Sequence, residues 1–149
     1  MTTRTDNPRE PAASTADRLL TPHTIRPRDA HERAFLVGTA RGTRDRPRAE
    51  TSLMELGHLV TSAGATVGGS LLQLRPRPDA ATLIGSGKVA DVARDATAAE
   101  ADLLVFDDDL TPAQQRNIER IVERKTLDRT QLILDIFARR ARTREGRLQ

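Results

Sequence analysis

Apolar residues are sparse before position 34; beyond it, short continuous apolar runs alternate with stretches of helical period. Ala34-Phe35-Leu36-Val37-Gly38 is too short for a helix and is bounded by turn formers, the pattern of a strand buried on both faces. Leu53, Leu56, Gly57 and Val60 then fall at i, i+3, i+4, i+7, and the pattern stops at Gly64, which predicts an amphipathic helix closed by a C-terminal glycine. Residues 66–74 form a second strand, loosened by Gly68 and Gly69. Arg75-Pro76-Arg77-Pro78-Asp79 ends it, because proline cannot continue a central ladder.

Gly85-Ser86-Gly87-Lys88 opens a second helix marked by Val89, Val92, Ala93 and Ala96, and Leu103-Leu104-Val105-Phe106 reads as a third buried strand closed by Asp107-Asp108-Asp109. The next helix has the clearest start in the chain. Thr111 stands as N-cap, Pro112 at the first helical position where its missing N–H costs nothing, and Gln114 at N3, a capping box ahead of Ile118, Ile121 and Val122. Residues 125–128 are weak as a strand, yet the alternation of strands and helices leaves room for a short fourth one there, at an edge.

The last stretch, residues 128–149, changes character halfway along. Ile133, Ile136 and Phe137 repeat at i, i+3, i+4 and Leu134, Ala138 and Ala141 at i, i+4, i+7, so residues 132–138 are expected to dock a broad apolar face in the core. From there on Arg139, Arg140, Arg142, Arg144 and Arg147 meet only Glu145 as opposing charge, and this half is expected to reach beyond the body.

Strands alternating with helices predict an α/β fold: a small, open, mostly parallel four-stranded sheet with helices on both faces, plus a projecting C-terminal helix. Phe35, Phe106 and Phe137 are expected to meet in one core. The domain spans residues 33–138, and residues 139–149 begin a helical linker. Residues 1–32 hold four of the eight prolines and almost no apolar side chains, too few to offset the entropy of ordering, and are expected to be a disordered tail.

Composition narrows the function classes. With no cysteine, disulfide partners and cysteine-based zinc sites are excluded, and a cytoplasmic location is expected. No apolar run approaches the roughly 20 residues that span a bilayer, so no membrane partner is expected. The formal charge is only +3, but lysine occurs at positions 88 and 125 alone; the positive charge is arginine, suited to bidentate phosphate contacts and equally a product of coding preference.

Parallel pairing puts every strand-to-helix loop on one edge of the sheet, where open α/β sheets bind their ligands. That edge carries Arg41, Arg44, Arg75, Arg77, the aspartates at 107–109 and Arg129. Gly85, Ser86, Gly87 and Lys88 at a helix start can cradle a phosphate or serve as a structural turn. They are not a Walker A loop, which would need Gly where Thr82 stands and Ser or Thr where Val89 stands. Gly85, Gly87 and Ala90 fit a relaxed dinucleotide fingerprint, but the preceding strand ends near Leu74 and a proline-rich loop intervenes. The three aspartates can bind Mg²⁺ or simply favour the positive end of the following helix. His23, His31 and His58 are scattered, so no catalytic or metal-binding constellation is expected. The arginine run is either a solvated helix face or, together with the basic loops expected nearby, the electrostatic footprint of RNA binding.

Asp128-Arg129-Thr130-x-Leu132-Ile133-Leu134-Asp135-Ile136-Phe137-Ala138-x-Arg140-Ala141-x-Thr143-x-Glu145-Gly146-x-Leu148-Gln149 closely resembles the segment that ends the N-terminal domain of the HflX family of ribosome-associated GTPases. Thr82-x-Ile84-Gly85-x-Gly87-Lys88-Val89 and Phe106-Asp107-Asp108-x-Leu110-x-Pro112-x-Gln114-x-Arg116-Asn117 are similar to that domain's other two signatures. The resemblance runs from about Glu32 to Gln149, with Ser86 where the family commonly has a basic residue or threonine. It implies a partner, the large ribosomal subunit and its rRNA, and a role in splitting stalled or idle ribosomes. In the family a long helical pair and a GTPase domain follow, and GTP and Mg²⁺ are cofactors there; this chain carries no P-loop, and no cofactor or catalysis of its own is expected. It ends in mid-helix and is expected to be a truncated product or an isolated, monomeric N-terminal domain. Two other readings stay open: a small ATP- or GTP-binding module using residues 85–88, since the family is associated with adenine as well as guanine nucleotides, and a nonfunctional gene fragment.

Overall fold

The computed structural model describes residues 32–147, with side chains as far as Arg142. The disordered tail expected over residues 1–32 lies outside the described residues, Glu32 excepted. Four strands, β1 (Arg33–Ala40), β2 (Thr66–Leu74), β3 (Leu103–Phe106) and β4 (Lys125–Asp128), pair in parallel throughout, in the order β2-β1-β3-β4. Between and after them run α1 (Arg46–Ser62), α2 (Ser86–Ala98), α3 (Pro112–Val122) and α4 (Arg129–Arg147).

The side-chain alternation of the two central strands divides the core into two layers. Ala34 and Leu36 of β1, with Leu103 and Val105 of β3, pack against Leu56 and Val60 of α1 and Leu132 of α4. Phe35 and Val37, with Leu104 and Phe106, pack against Val89, Val92 and Ala96 of α2 and Ile118 and Val122 of α3. The paired stretches, residues 34–37 and Leu103–Phe106, are therefore apolar at every position, as helices on both faces require. Each fully buried side chain such as Phe106 or Leu104 contributes about 1.5–3 kcal/mol by leaving water.

The capping box forms as predicted: the Thr111 hydroxyl accepts from Gln114 N at 3.1 Å, and Gln114 Oε1 accepts from Thr111 N at 2.9 Å. β4 is one edge of the sheet, and its Thr126 and Asp128 stay buried because neighbouring segments serve them: Gln115 Nε2 donates to Thr126 O at 2.6 Å, and Asp128 accepts from Leu110 N and Gln131 N. The basic stretch 41–48 is only partly a loop, since α1 begins at Arg46 with Pro47 in its first turn.

The last helix corrects two expectations. Phe137 is 63% exposed and Leu134 62%, so Phe137 does not join Phe35 and Phe106, which share the opposite layer. The buried side of α4 is Leu132, Asp135, the partly buried Ile136, and Arg139, an i, i+3, i+4, i+7 stripe that includes an ion pair. Asp135 Oδ2 lies 3.3 Å from Arg139 Nη2, and Arg139 Nη1 donates to Ala63 O at the end of α1 at 2.9 Å. Because the charges satisfy each other, the stripe packs like an apolar one, and the broad face expected from apolar spacing is turned partly to solvent. Among the described residues no helix is long and apolar enough to cross a membrane.

Candidate functional site

The sheet changes direction between β1 and β3: the chain leaves β1 for α1 on one face and β3 for α3 on the other. Loops 41–45 and 107–111 thus part at the carboxyl ends of adjacent strands, the place where open α/β sheets hold ligands. Thr39 Oγ1 donates to Asp108 Oδ2 across this point at 2.7 Å. Burial pushes the Asp108 carboxyl above its ordinary value, with Asp107 adding to the rise and the Thr39 hydroxyl opposing it. Asp45 accepts from Arg48 at 2.5 and 2.9 Å and from Arg41 N at 2.9 Å, and these bonds hold its carboxyl well below the usual carboxylate range.

The three aspartates diverge. Asp107 pairs with Arg129 at 2.9 Å, Asp108 with Thr39, and Asp109 accepts from Thr130 Oγ1 at 2.8 Å. Arg129 also donates to Ser52 Oγ at 3.0 Å and lies 3.3 Å from Glu55, so the first residue of α4 fastens β3, α1 and α4 together. Burial works against the Arg129 charge, and the two carboxylates outweigh it. Each carboxylate aims at a different element, and no group of three acids or histidines among the described residues is arranged to hold a metal ion.

In the loop after β2, Arg75 is a staple: Nε donates to Arg77 O at 3.0 Å and Nη1 to Ile84 O at 2.9 Å. Asp79 caps the turn below it, accepting from Ala81 N and Thr82 N at 2.9 Å each. Gln114 Nε2 and Asn117 Nδ2 of α3 donate to Asp79 O and Ala81 O, both at 3.0 Å, and pin the loop to the body. Gly85 takes φ +89°, which favours glycine, and a Cβ there would lie 3.2 Å from Arg75 Nη1 and have to push the guanidinium aside by a few tenths of an ångström. Gly87 has neither constraint. Gly85 stands at the N-cap of α2 with Ser86, Gly87 and Lys88 in its first turn, and no side chain caps that end. Eleven residues separate β2 from α2, so the tight strand-to-helix turn of a dinucleotide fingerprint is not formed.

The arginines singled out from the sequence fall into distinct groups. Arg41, Arg44, Arg77, Arg140 and Arg142 are exposed, Arg75 and Arg139 are engaged in holding the fold, and the side chains of Arg144 and Arg147 lie outside those described. They do not form one patch. α4 runs beside α1 from Arg129 at the carboxyl-end edge of the sheet to Arg139 at Ala63, so its basic half leaves from the opposite edge of the sheet. The 17 residues of α1 set the separation from Arg41 and Arg44 at roughly 25 Å. The polar contacts that span elements, Thr39 with Asp108 and Arg129 with Asp107, were beyond sequence reasoning because their partners are 69 and 22 residues apart. The Asp135–Arg139 pair did carry a local signal, its i, i+4 spacing.

Against this geometry stand the comparisons with known proteins. The family model described as GTP-binding GTPase N-terminal matches residues 50–138. The GTPase HflX of Escherichia coli K12 is 43% identical over 121 residues, 81% of this chain and 28% of the relative, and that of Lacrimispora saccharolytica is 42% identical over 122 residues, 82% and 28%. The chain thus spans under a third of the length of these relatives. Among solved structures, SsGBP in complex with GDP matches with a TM-score of 0.51 at 25% identity, covering 72% of this chain and 29% of that one. The family match takes in most of the domain, with α4 through Ala138, and the chain belongs to the GTP-binding GTPase N-terminal family, as an N-terminal domain of HflX type.

Proposed function

We propose that this domain docks on the large ribosomal subunit, contacting rRNA phosphates through exposed arginines, as part of an HflX-type GTPase that splits or rescues ribosomes under stress, and that it has no catalysis of its own. The observation that carries this reading is the basic half of α4, where Arg140 and Arg142 stand exposed in a run whose one acid is Glu145. The exposed Leu134 and Phe137 on the same helix suit a helix that follows in the longer relatives. GTP and Mg²⁺ chemistry lies outside the reading, because the chain holds no G-x-x-x-x-G-K-[ST] loop.

The test is filter binding to purified large subunits across a salt series, comparing the chain with a variant in which Arg140, Arg142, Arg144 and Arg147 become Gln. Arg139 is left in place because it holds α4 to α1. Each lost phosphate contact flattens the slope of log K against log salt by about 0.7–0.9. Equal affinity and equal slope for the two proteins would refute the electrostatic docking. The uncapped N-terminus of α2 supports a second reading, a nucleotide bound at residues 85–88. Calorimetric titration with ATP or GTP and Mg²⁺ separates them: submicromolar binding favours the nucleotide module, and no heat removes it.

A further inference from the structure

The two edges of the sheet are unlike. β4 is four residues long, carries Lys125 and Asp128, and is mostly buried. β2 is nine residues long, has no charged residue and no proline, and is exposed or half-buried at every position. Among the described residues it pairs with β1 alone. Long, uncharged edges recruit another strand, and proteins that keep an edge single usually place lysine, proline or a covering segment on it. Beside this edge lies an open groove of about 380 Å³ between α1 and β2, lined by Met54, Gly57, Val67, Ser70 and Leu72 and by the charged pair Arg46 and Glu50. Met54 is 65% exposed, Val67 42% and Leu74 40%, the exposed large apolar side chains of the described residues outside α4 and α3.

We infer that β2 is a self-association edge, pairing antiparallel with β2 of a second copy of this chain. Arg75 N donates to Ala40 O, so residues 75, 73 and 71 turn their main chain to β1, and Ser70, Leu72 and Leu74 turn theirs outward. These outward residues are self-complementary about a two-fold axis through Leu72. Leu72 meets its own copy, Ser70 meets Leu74, and the pairing supplies about six main-chain hydrogen bonds. Leu74 O, which already accepts from Gln73 Nε2 at 3.2 Å, has a second lone pair for this. In parallel register Leu36, Gly38 and Ala40 stand beside Ser70, Leu72 and Leu74, so the side chains that meet are on the α1 face.

The symmetry then brings α1 and its copy side by side on one face of a continuous eight-stranded sheet. α1 lies over β1 and β2, so the helix axes stand two to three strand spacings apart, roughly 10–14 Å, close enough for the two Met54 side chains to fill the groove between them. The second copy is favoured over another partner because the edge matches itself: β2 carries no charged residue, and Arg46 and Glu50 on the groove wall already pair with each other at 2.9 Å, so no charge needs an opposite one across the axis. The association departs from the monomer expected from the sequence, which does not reveal which strand is left at an edge.

Sedimentation velocity of the full chain over a concentration series tests this, with Ser70→Pro and Ser70→Lys as variants. Proline at 70 removes an outward N–H and spares the ladder to β1, and lysine places a charge in the groove. The expected result is a monomer–dimer equilibrium for the unaltered chain and monomers for both variants at every concentration, with thermal unfolding of Ser70→Lys unchanged. A chain that stays monomeric throughout overturns the inference, as does a Ser70→Lys protein that dimerises like the parent. Loss of the dimer in Leu134→Glu but not in Ser70→Lys would assign the contact to α4 and overturn it too.

Discussion

Replacing Asp135 by Ala tests whether α4 is held to the body by a charge pair inside its packed stripe. The side chains of Asp135 and Arg139 are 5% and 19% exposed, with Oδ2 and Nη2 3.3 Å apart. Removing one partner of a fully buried pair costs about 3–5 kcal/mol, because the other charge is left desolvated. Arg139 still reaches water through part of its length and keeps its bond to Ala63 O, so the cost of Asp135→Ala falls to about 2–3 kcal/mol. Arg139→Ala strands the more deeply buried carboxylate and costs more, and this asymmetry is the diagnostic feature. The double replacement Asp135→Leu, Arg139→Met removes both charges while keeping bulk, and recovers most of the loss. At about 3–5 °C per kcal/mol for a domain of this size, Asp135→Ala lowers the melting temperature on the order of 10 °C. With no Trp or Tyr in the chain, far-UV circular dichroism is the probe. A loss for Asp135→Ala within the ~0.5 kcal/mol of an ordinary surface substitution would refute the reasoning.

Three further outcomes follow from the same geometry. Phe137→Ala is expected to cost under about 0.5 kcal/mol while Leu132→Ala, on the buried side of α4, costs about 2–5 kcal/mol in urea titration; a Phe137→Ala loss as large as that of Leu132→Ala would restore the phenylalanine core. Gly85→Ala destabilises by about 1–3 kcal/mol through its positive φ and the Arg75 guanidinium, whereas Gly87→Ala stabilises by about 0.5–1 kcal/mol, and equal effects on the melt would contradict the assignment. Asp108 has a raised carboxyl pKa, so the folded state holds its proton more readily than the unfolded one, and its contribution, full below about pH 4, is lost as pH rises through the folded value. Asp108→Asn therefore raises the melting temperature at pH 7 and loses that advantage in acid; a gain independent of pH counts against burial as the cause.

What the sequence made legible was local. The strand at residues 66–74, the strand at 103–106 and the capping box at Thr111 all reappear, because each depends on neighbours within a few residues. β4 was inferred from the rhythm of the chain, and Thr126 and Asp128 stay buried because Gln115, 11 residues before Thr126, and Gln131, 3 residues after Asp128, bond to their main chain. The facing of α4 was misread because hydrophobic period counts only apolar side chains, and the real stripe contains a paired acid and base. The arginines were visible as charge, but their availability was not: Arg75 and Arg139 are used up by carbonyl oxygens of other segments, which no spacing rule reports. The proximity of basic loops to the basic helix failed for a topological reason. A helix that follows a parallel strand runs back along the sheet and carries its far end to the opposite edge.

That return path makes the domain a caliper. Two groups of exposed arginines stand roughly 25 Å apart on a body stiffened by Arg129 and Arg139 at either end of the α1–α4 contact. A mononucleotide can touch one jaw only. A partner must be a large, shaped polyanion to engage both, and then the second contact forms at the high effective concentration that a rigid link provides. On the proposed rRNA docking, two weak grips of this kind would discriminate by spacing, favouring a folded RNA surface that presents phosphates at the right separation over the same phosphates on a flexible strand.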